Sequence, residues 1–402
     1  MIDLESIYRR ALRECAPDVL VRRSLHPSMP RTIAAMGKCA GPLIDGVAAE
    51  LEIDRAFAVI PHGYPEPGWR GNIVIAHGGH PQMDRTSFHA GDALLRFVDE
   101  SDDILFLISG GGSACVEAPL PPFTRDELIE VNRRLVASSL PIGDINTVRK
   151  HLSAIKGGRL AARVHGRSMS LVYSDVSAGA IADVASGPTL ADPTTVDEAA
   201  NILRGLGLDA MAAKLRDETV KQLANTSAKV IADNSTLTST AARIVSEMDH
   251  EPILLPEQVE RSVEDAAAML ADRARSLAPS QVLVAGGETT VVIRGSGKGG
   301  RCCELAVRFA MRSPNAALFG SSDGVDGSSG VAGVLVERRA SSPARRRAGT
   351  RGAPQEIESL LATSDSLAAA EIVGRPIMIP PTGNNLRDLF LVAADSGVMA
   401  HH

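Results

Sequence analysis

The run Ile104-Leu105-Phe106-Leu107-Ile108 leads straight into Ser109-Gly110-Gly111-Gly112-Ser113, an apolar stretch of strand length that ends in three consecutive glycines. Glycines let backbone N–H groups converge on an anion, because no side chain blocks the approach and unusual φ values carry no Cβ penalty. A lone triple glycine is equally well a tight turn. The chain repeats the arrangement. Lys38 lies in Met36-Gly37-Lys38-Cys39-Ala40 after the apolar stretch 32–35, and Ser174-Asp175 follows 169–173. Gly286-Gly287-Glu288 follows 282–285, and Ser322-Asp323-Gly324-Val325-Asp326-Gly327 comes soon after 316–319. Open parallel sheets present ligand-binding groups at strand C-termini in this way, as short apolar runs that end in glycine beside a charged residue. The pattern predicts an α/β fold.

The chain has 402 residues and is 44% hydrophobic, enough for two globular cores. Leu4, Ile7, Tyr8, Ala11 and Leu12 recur at helical spacing, so an amphipathic helix is expected before Pro17. Strands are expected near 32–35, 56–60, 72–76, 104–108 and 169–173, and a helix over 125–139 behind Thr124 as N-cap. A first α/β domain is assigned to 1–228. A second, 229–402, starts near Lys229-Val230-Ile231-Ala232 and includes strands near 252–255, 281–285 and 289–293. Each domain is expected to hold a mostly parallel sheet flanked by helices. Segment 338–354, rich in Arg, Ala, Ser, Pro and Gly, reads as an exposed or disordered loop.

The formal net charge of -6 offers no basic excess with which to neutralise a duplex, so no nucleic acid partner is expected. No apolar run reaches the roughly 18 residues of a membrane span, and the N-terminus lacks signal-peptide order; a cytoplasmic protein is expected. The five cysteines form no C-x-x-C pair, which favours reduced thiols over a disulfide framework or zinc. Any metal is expected to be a hard cation on carboxylates. Asp175, Glu288, Asp323 and Asp326 are the candidates for Mg²⁺, which prefers oxygen ligands.

Gly295-Ser296-Gly297-Lys298-Gly299-Gly300 satisfies G-x-G-x-x-G, with Asp323 beyond it, so a nicotinamide dehydrogenase is a competing reading. Arg294, Lys298 and Arg301 crowd that loop with charge, which suits a triphosphate better than a dinucleotide held by backbone N–H groups. Gly299 stands where a Walker A loop needs Ser or Thr. Lys38 is placed to reach a bound phosphate. Arg149, Lys150 and Lys156, with Arg159, form a basic belt that would bind an acidic substrate, or simply an exposed helix face.

Many of these motifs fall in one order along most of the chain. They are Met36-Gly37-Lys38, Gly79-His80-Pro81, Ser109 to Ser113, Arg149 to Ala161, Ser174-Asp175-Val176 and Ser186-Gly187-Pro188-Thr189, followed by Gly286-Gly287-Glu288-Thr289, Gly299-Gly300-Arg301, Asp323 to Gly327 and Pro381-Thr382-Gly383-Asn384-Asn385. In this the chain resembles the glycerate 2-kinase family, whose C-terminal half carries the MOFRL domain. The resemblance implies two α/β domains with the active site in the cleft between them, and ATP-dependent phosphorylation of a hydroxyl on a small polar substrate. It points to Lys38 and Arg301 as the phosphate-handling pair, joined by Asp175. The phosphates of Mg·ATP are then expected against Ser109, Gly110, Gly111, Gly112, Ser113, Gly286, Gly287, Glu288 and Lys298. Asp175 and Asp323 would hold Mg²⁺, and His80, Arg149, Lys150, Lys156 and Asn384 would bind the substrate. A homodimer is left open.

Three departures bear on the substrate. Cys302-Cys303 follow Arg301 where the family usually has Asn-Gln, Ala178-Gly179 replace an expected Gly-Asp, and Cys115-Val116 stand where larger aliphatic residues are typical. Depolarised positions near a site change recognition more than fold. Glycerate is the leading acceptor, with a polyol or cyclitol phosphate as the alternative. An NAD(P)-dependent hydroxypyruvate reductase and a non-catalytic relative are the remaining readings.

Overall fold

The structure is a computed structural model that describes residues 2–176, 181–337 and 354–394. It divides into two compact units, one formed by residues 17–233 and the other by 1–16 together with 234–402. Among the described residues no helix is long and apolar enough to cross a membrane.

The unit 17–233 is built on six strands: β1 (Thr32–Met36), β2 (Arg55–Pro61), β3 (Ile73–Gly78), β4 (Ile104–Ser109), β5 (Ser168–Tyr173) and β6 (Thr226–Ala232). Their order is β3-β2-β1-β4-β5-β6, and every pairing is parallel. All of β4 and nearly all of β1 are buried, which accounts for their unbroken apolar sequences: a parallel strand is covered on both faces. From β1 the chain winds outward through β2 and β3, then returns to lay β4 on the other side of β1. The C-terminal ends of β1 and β4 therefore flank the point where the winding reverses, the place where open α/β sheets form a crevice. Lys38 and the triple glycine follow those two ends.

Two expectations about domain limits change. The strand near 229–232 does not open the second unit; it is β6 and pairs with β5, so the division falls after Asp233. An apolar run reads the same on either side of a boundary, and only its pairing decides. The amphipathic helix Leu4–Glu14 belongs with the C-terminal residues: Tyr8 donates its hydroxyl to the Ser321 carbonyl, and Asn384 Nδ2 donates to Leu12 O at 3.0 Å. The helix Arg125–Ala137 forms behind Thr124, whose hydroxyl accepts from Glu127 N in a capping box.

The second unit carries β7 (Glu251–Leu254), β8 (Gln281–Gly287), β9 (Ala317–Ser321), β10 (Gly333–Val336), β11 (Gly374–Ile377) and β12 (Asp388–Ala393), in the order β11-β10-β9-β12-β8-β7. This sheet is mixed rather than mostly parallel: only β7 and β8 run parallel. The cause is connection length. Residues 322–332 between β9 and β10 contain no helix and cannot make the crossover that parallel neighbours need. The last strand, β12, then inserts between β8 and β9, antiparallel to both. The strand expected at 289–293 is absent: Thr290 makes one isolated bridge, while Val292 and Ile293 are 69% and 79% exposed. Their β-branched composition favours a strand, but nothing covers them. Of the loop expected at 338–354, residues 338–353 lie outside the described residues, and Pro354 opens the helix Pro354–Ala362.

Candidate functional site

The crevice between β1 and β4 is assembled by backbone. Gly37 has φ +104°, and a Cβ there would lie 2.4 Å from the Ser109 carbonyl oxygen. Lys38 N donates to Gly110 O at 2.9 Å, and Cys39 N donates to Ser109 Oγ at 3.0 Å. Ser109 Oγ in turn donates to Met36 O at 3.3 Å. Ser109 and Gly110 thus stitch the two loops together. Gly111 serves the side chains: at φ +87°, a Cβ would stand 3.0 Å from Lys38 Cγ and 3.4 Å from His80 Cδ2. Gly112 faces the Ala185 methyl, where a Cβ would come within 2.6 Å.

Around Lys38 the charge is managed by two rings. Its ammonium lies 5.7 Å from the centroid of Tyr64, within cation–π range, and Tyr64 meets His80 edge-on with centroids 6.2 Å apart. Burial, aided by the Lys38 charge, pushes His80 down to about 4. The imidazole is therefore neutral near pH 7, and Lys38 carries the positive charge at this edge. Ser113 Oγ lies 2.8 Å from Ser186 Oγ, which donates to Asn146 Oδ1 at 3.1 Å. Asp175 follows β5 at the same edge of the sheet and is half-buried.

The basic belt is not a surface. Lys150 is buried, with its ammonium 3.1 Å from both Asp183 and Asp192, and Lys156 is buried against Glu117. Arg149 donates Nε and Nη2 to Asn132 Oδ1 at 3.1 and 2.7 Å. The helix Ile142–Leu152 carries Arg149 and Lys150, and the turn beyond it carries Lys156, toward acceptors that local sequence does not reveal. Since both members of the Lys156–Glu117 pair are desolvated, Lys156→Met is expected to strand the carboxylate and cost about 3–5 kcal/mol. Urea denaturation checks this, and Lys156→Met combined with Glu117→Leu should recover much of the loss.

In the second unit Gly286 and Gly287 serve close packing. A Cβ at Gly286 would lie 2.2 Å from Asn234 Oδ1, and one at Gly287, which has φ +148°, would lie 2.4 Å from Val259 N. Arg301, first residue of the helix Arg301–Ala310, donates Nε to Asp388 Oδ2 at 2.6 Å and Nη2 to Asp388 Oδ1 at 2.9 Å. Its Nη1 lies 2.9 Å from Glu288 Oε1. Asp388 is fully buried; burial pushes it up to about 6 against the pull of Arg301. Asp326 is a cap rather than a metal ligand, since its two oxygens accept from Cys302 N at 3.0 Å and Cys303 N at 2.8 Å. Asp323 Oδ1 accepts from Ser321 Oγ at 2.8 Å and Val325 N at 3.0 Å within its own loop. Asn384 is buried; its Nδ2 ties down the N-terminal helix, while its Oδ1 has no hydrogen-bond partner among the described residues.

The G-x-G-x-x-G loop is occupied by protein. Gly297 N donates to Thr363 O at 3.0 Å, Gly299 N to Ser328 Oγ at 3.2 Å and Gly300 N to Ser366 Oγ at 3.2 Å. No strand precedes it within 288–300, and its backbone N–H groups are not turned to a pyrophosphate. Lys298 is exposed. The cysteine departures are core positions: Cys302, Cys303, Cys115 and Val116 are all buried. Ala178 and Gly179 lie outside the described residues. Sequence reasoning passed over Tyr64 and Asp388, and gave Asn146 no role of its own. Nothing in their local sequence sets them apart, since each acts through a partner remote in the chain.

Residues 3–221 match the family model described as a domain of unknown function (DUF4147), and residues 281–388 match the MOFRL family. The chain is 31% identical to a glycerate 2-kinase from Pyrococcus horikoshii, over 90% of this chain and 87% of the relative. It is 30% identical to a D-glycerate 2-kinase from Thermotoga maritima, over 96% of each. A relative from Agrobacterium vitis, 30% identical over 96% of this chain and 92% of its own, carries a provisional hydroxypyruvate reductase name. The crystal structure of a glycerate kinase from Thermotoga maritima superposes with a TM-score of 0.86 at 28% identity, covering 97% of this chain and 98% of that one.

Proposed function

The chain belongs to the glycerate 2-kinase family, and from that premise we propose that it transfers the γ-phosphoryl group of ATP to a hydroxyl of glycerate. The observation that carries this reading is the crevice at the β1/β4 reversal, where the glycine loop leaves room for the stem of Lys38 beside a neutral imidazole. Phosphoryl transfer passes through a loose transition state with charge spread over the equatorial oxygens, so positioned cations matter more than a strong base. Lys38 supplies one such charge. Arg301 supplies another: Asp388 and Glu288 fix its plane, while each terminal nitrogen retains a second N–H for a phosphate oxygen.

Among the described residues no group of three or more His, Cys, Asp or Glu side chains could hold a metal ion. Mg²⁺ delivered with ATP needs only one or two carboxylates besides phosphate and water, and Asp175 at the end of β5 fits that requirement. Asp323 is the second candidate, with Oδ1 closing its own loop. When bound, the ion would neutralise phosphate charge. A polyol or cyclitol phosphate as acceptor gains no support from the cysteine departures, which are buried in the cores.

Incubating the protein with Mg·ATP and a panel of hydroxy acids and polyols, then following ADP, tests the reading. Glycerate-dependent ADP release well ahead of the other acceptors is expected. Oxidation of NADH or NADPH by hydroxypyruvate without ADP release would overturn it in favour of the reductase.

A further inference from the structure

Beside the crevice, three consecutive residues adopt left-handed backbone: Ala185 at φ 52°, Ser186 at φ 59° and Gly187 at φ 60°. Two of them carry side chains that disfavour this region, and such strain persists only where the surroundings enforce it. Here the carbonyl oxygens of Ser186 and Gly187 accept from Gly157 N at 3.2 Å and Gly158 N at 2.8 Å. The turn presses Ala185 against Gly112 and aims the fully buried Ser186 hydroxyl at Ser113.

The direction of these hydrogen bonds follows from proton supply. Asn146 Oδ1 can only accept, so the single Ser186 proton goes to Asn146 at 3.1 Å. Ser186 Oγ must then accept across the 2.8 Å contact, and the Ser113 proton is committed to it. Ser113 is half-buried, whereas Ser186 and Asn146 are buried. What the Ser113 hydroxyl offers to the crevice is therefore a lone pair and no proton. A phosphate oxygen, itself an acceptor, is disfavoured there, and an alcohol O–H is matched.

We propose that Ser113 binds a hydroxyl of the acceptor substrate rather than the nucleotide phosphates, and that Ser186 and Asn146 are positioning residues that fix its hydroxyl as an acceptor. This rests on the kinase reading above and changes the role that sequence alone gives the last residue of the glycine loop. The relay ends in an amide, so it orients and does not carry a proton away.

Initial rates of ADP release by the full chain, with Mg·ATP and glycerate varied separately, test the assignment. Ser113→Ala is expected to raise KM for glycerate about tenfold, the factor associated with one lost hydrogen bond, with KM for ATP within about twofold. Ser186→Gly suits the left-handed backbone and removes the hydroxyl together with its Cβ. It should raise KM for glycerate by a few-fold alone and add nothing to Ser113→Ala, because Ser186 acts through Ser113. Single effects that multiply in the double variant, or a rise in KM for ATP, would overturn the proposal while leaving the kinase reading intact. An inactive wild-type protein would overturn both.

Discussion

Lys38→Ala is expected to lower turnover with ATP and glycerate about a hundredfold or more, ~3 kcal/mol in the barrier, the scale for removing one preorganised charge stabiliser. The expectation comes from how the residue is held. Its backbone N–H is fixed to Gly110, its stem fits the space left by Gly111, and its ammonium sits over Tyr64 beside a neutral His80. Such a charge needs little reorganisation when phosphate charge shifts. Since the backbone hydrogen bond survives truncation and the side chain is half-buried, the thermal midpoint should barely move. Initial rates of ADP release and a melting curve check both halves, and a variant that turns over like wild type would remove Lys38 from the phosphoryl path.

How much of this was legible in the sequence depended on whether the determinant was local. The strands ending at Met36, Ser109 and Tyr173 are marked by apolar runs, the first two followed by glycine, so their positions and the Lys38 loop follow from pattern alone. Lys150 and Lys156 looked like a ligand-facing belt because helix spacing shows the face but not its neighbour. Their partners Asp183, Asp192 and Glu117 lie 33, 42 and 39 residues away along the chain. Asp326 looked like a metal ligand for the same reason. It caps a helix that begins 25 residues earlier, at Arg301, where Gly300 offers no side chain to do so. The mixed second sheet was equally hidden, because strand direction is set by connections and the final insertion of β12, not by strand sequence.

Arg301→Ala should show a loss of stability that depends on pH, and the reason lies in Asp388. Burial raises that carboxyl from its ordinary 3.8 to about 6, even with Arg301 bound to it. The folded protein therefore binds this proton more readily than the unfolded chain, and the group's contribution to stability falls as pH rises from about 4 through 6. Removing the guanidinium takes away the opposite charge that lowers the pKa, so the carboxyl rises further and an unpaired buried charge must be borne near neutrality. The expected loss is about 3–5 kcal/mol at pH 8, the range for breaking one side of a buried pair, and clearly less at pH 5, where the carboxyl is protonated. Arg301→Ala combined with Asp388→Asn should recover most of the stability at pH 8 yet stay about a hundredfold slow in ADP release, because the N–H groups proposed to meet phosphate remain absent. Urea denaturation at the two pH values and rates for both variants separate the roles. An equal loss at pH 5 and pH 8 would contradict the part assigned to Asp388, and wild-type turnover in the double variant would contradict the part assigned to Arg301.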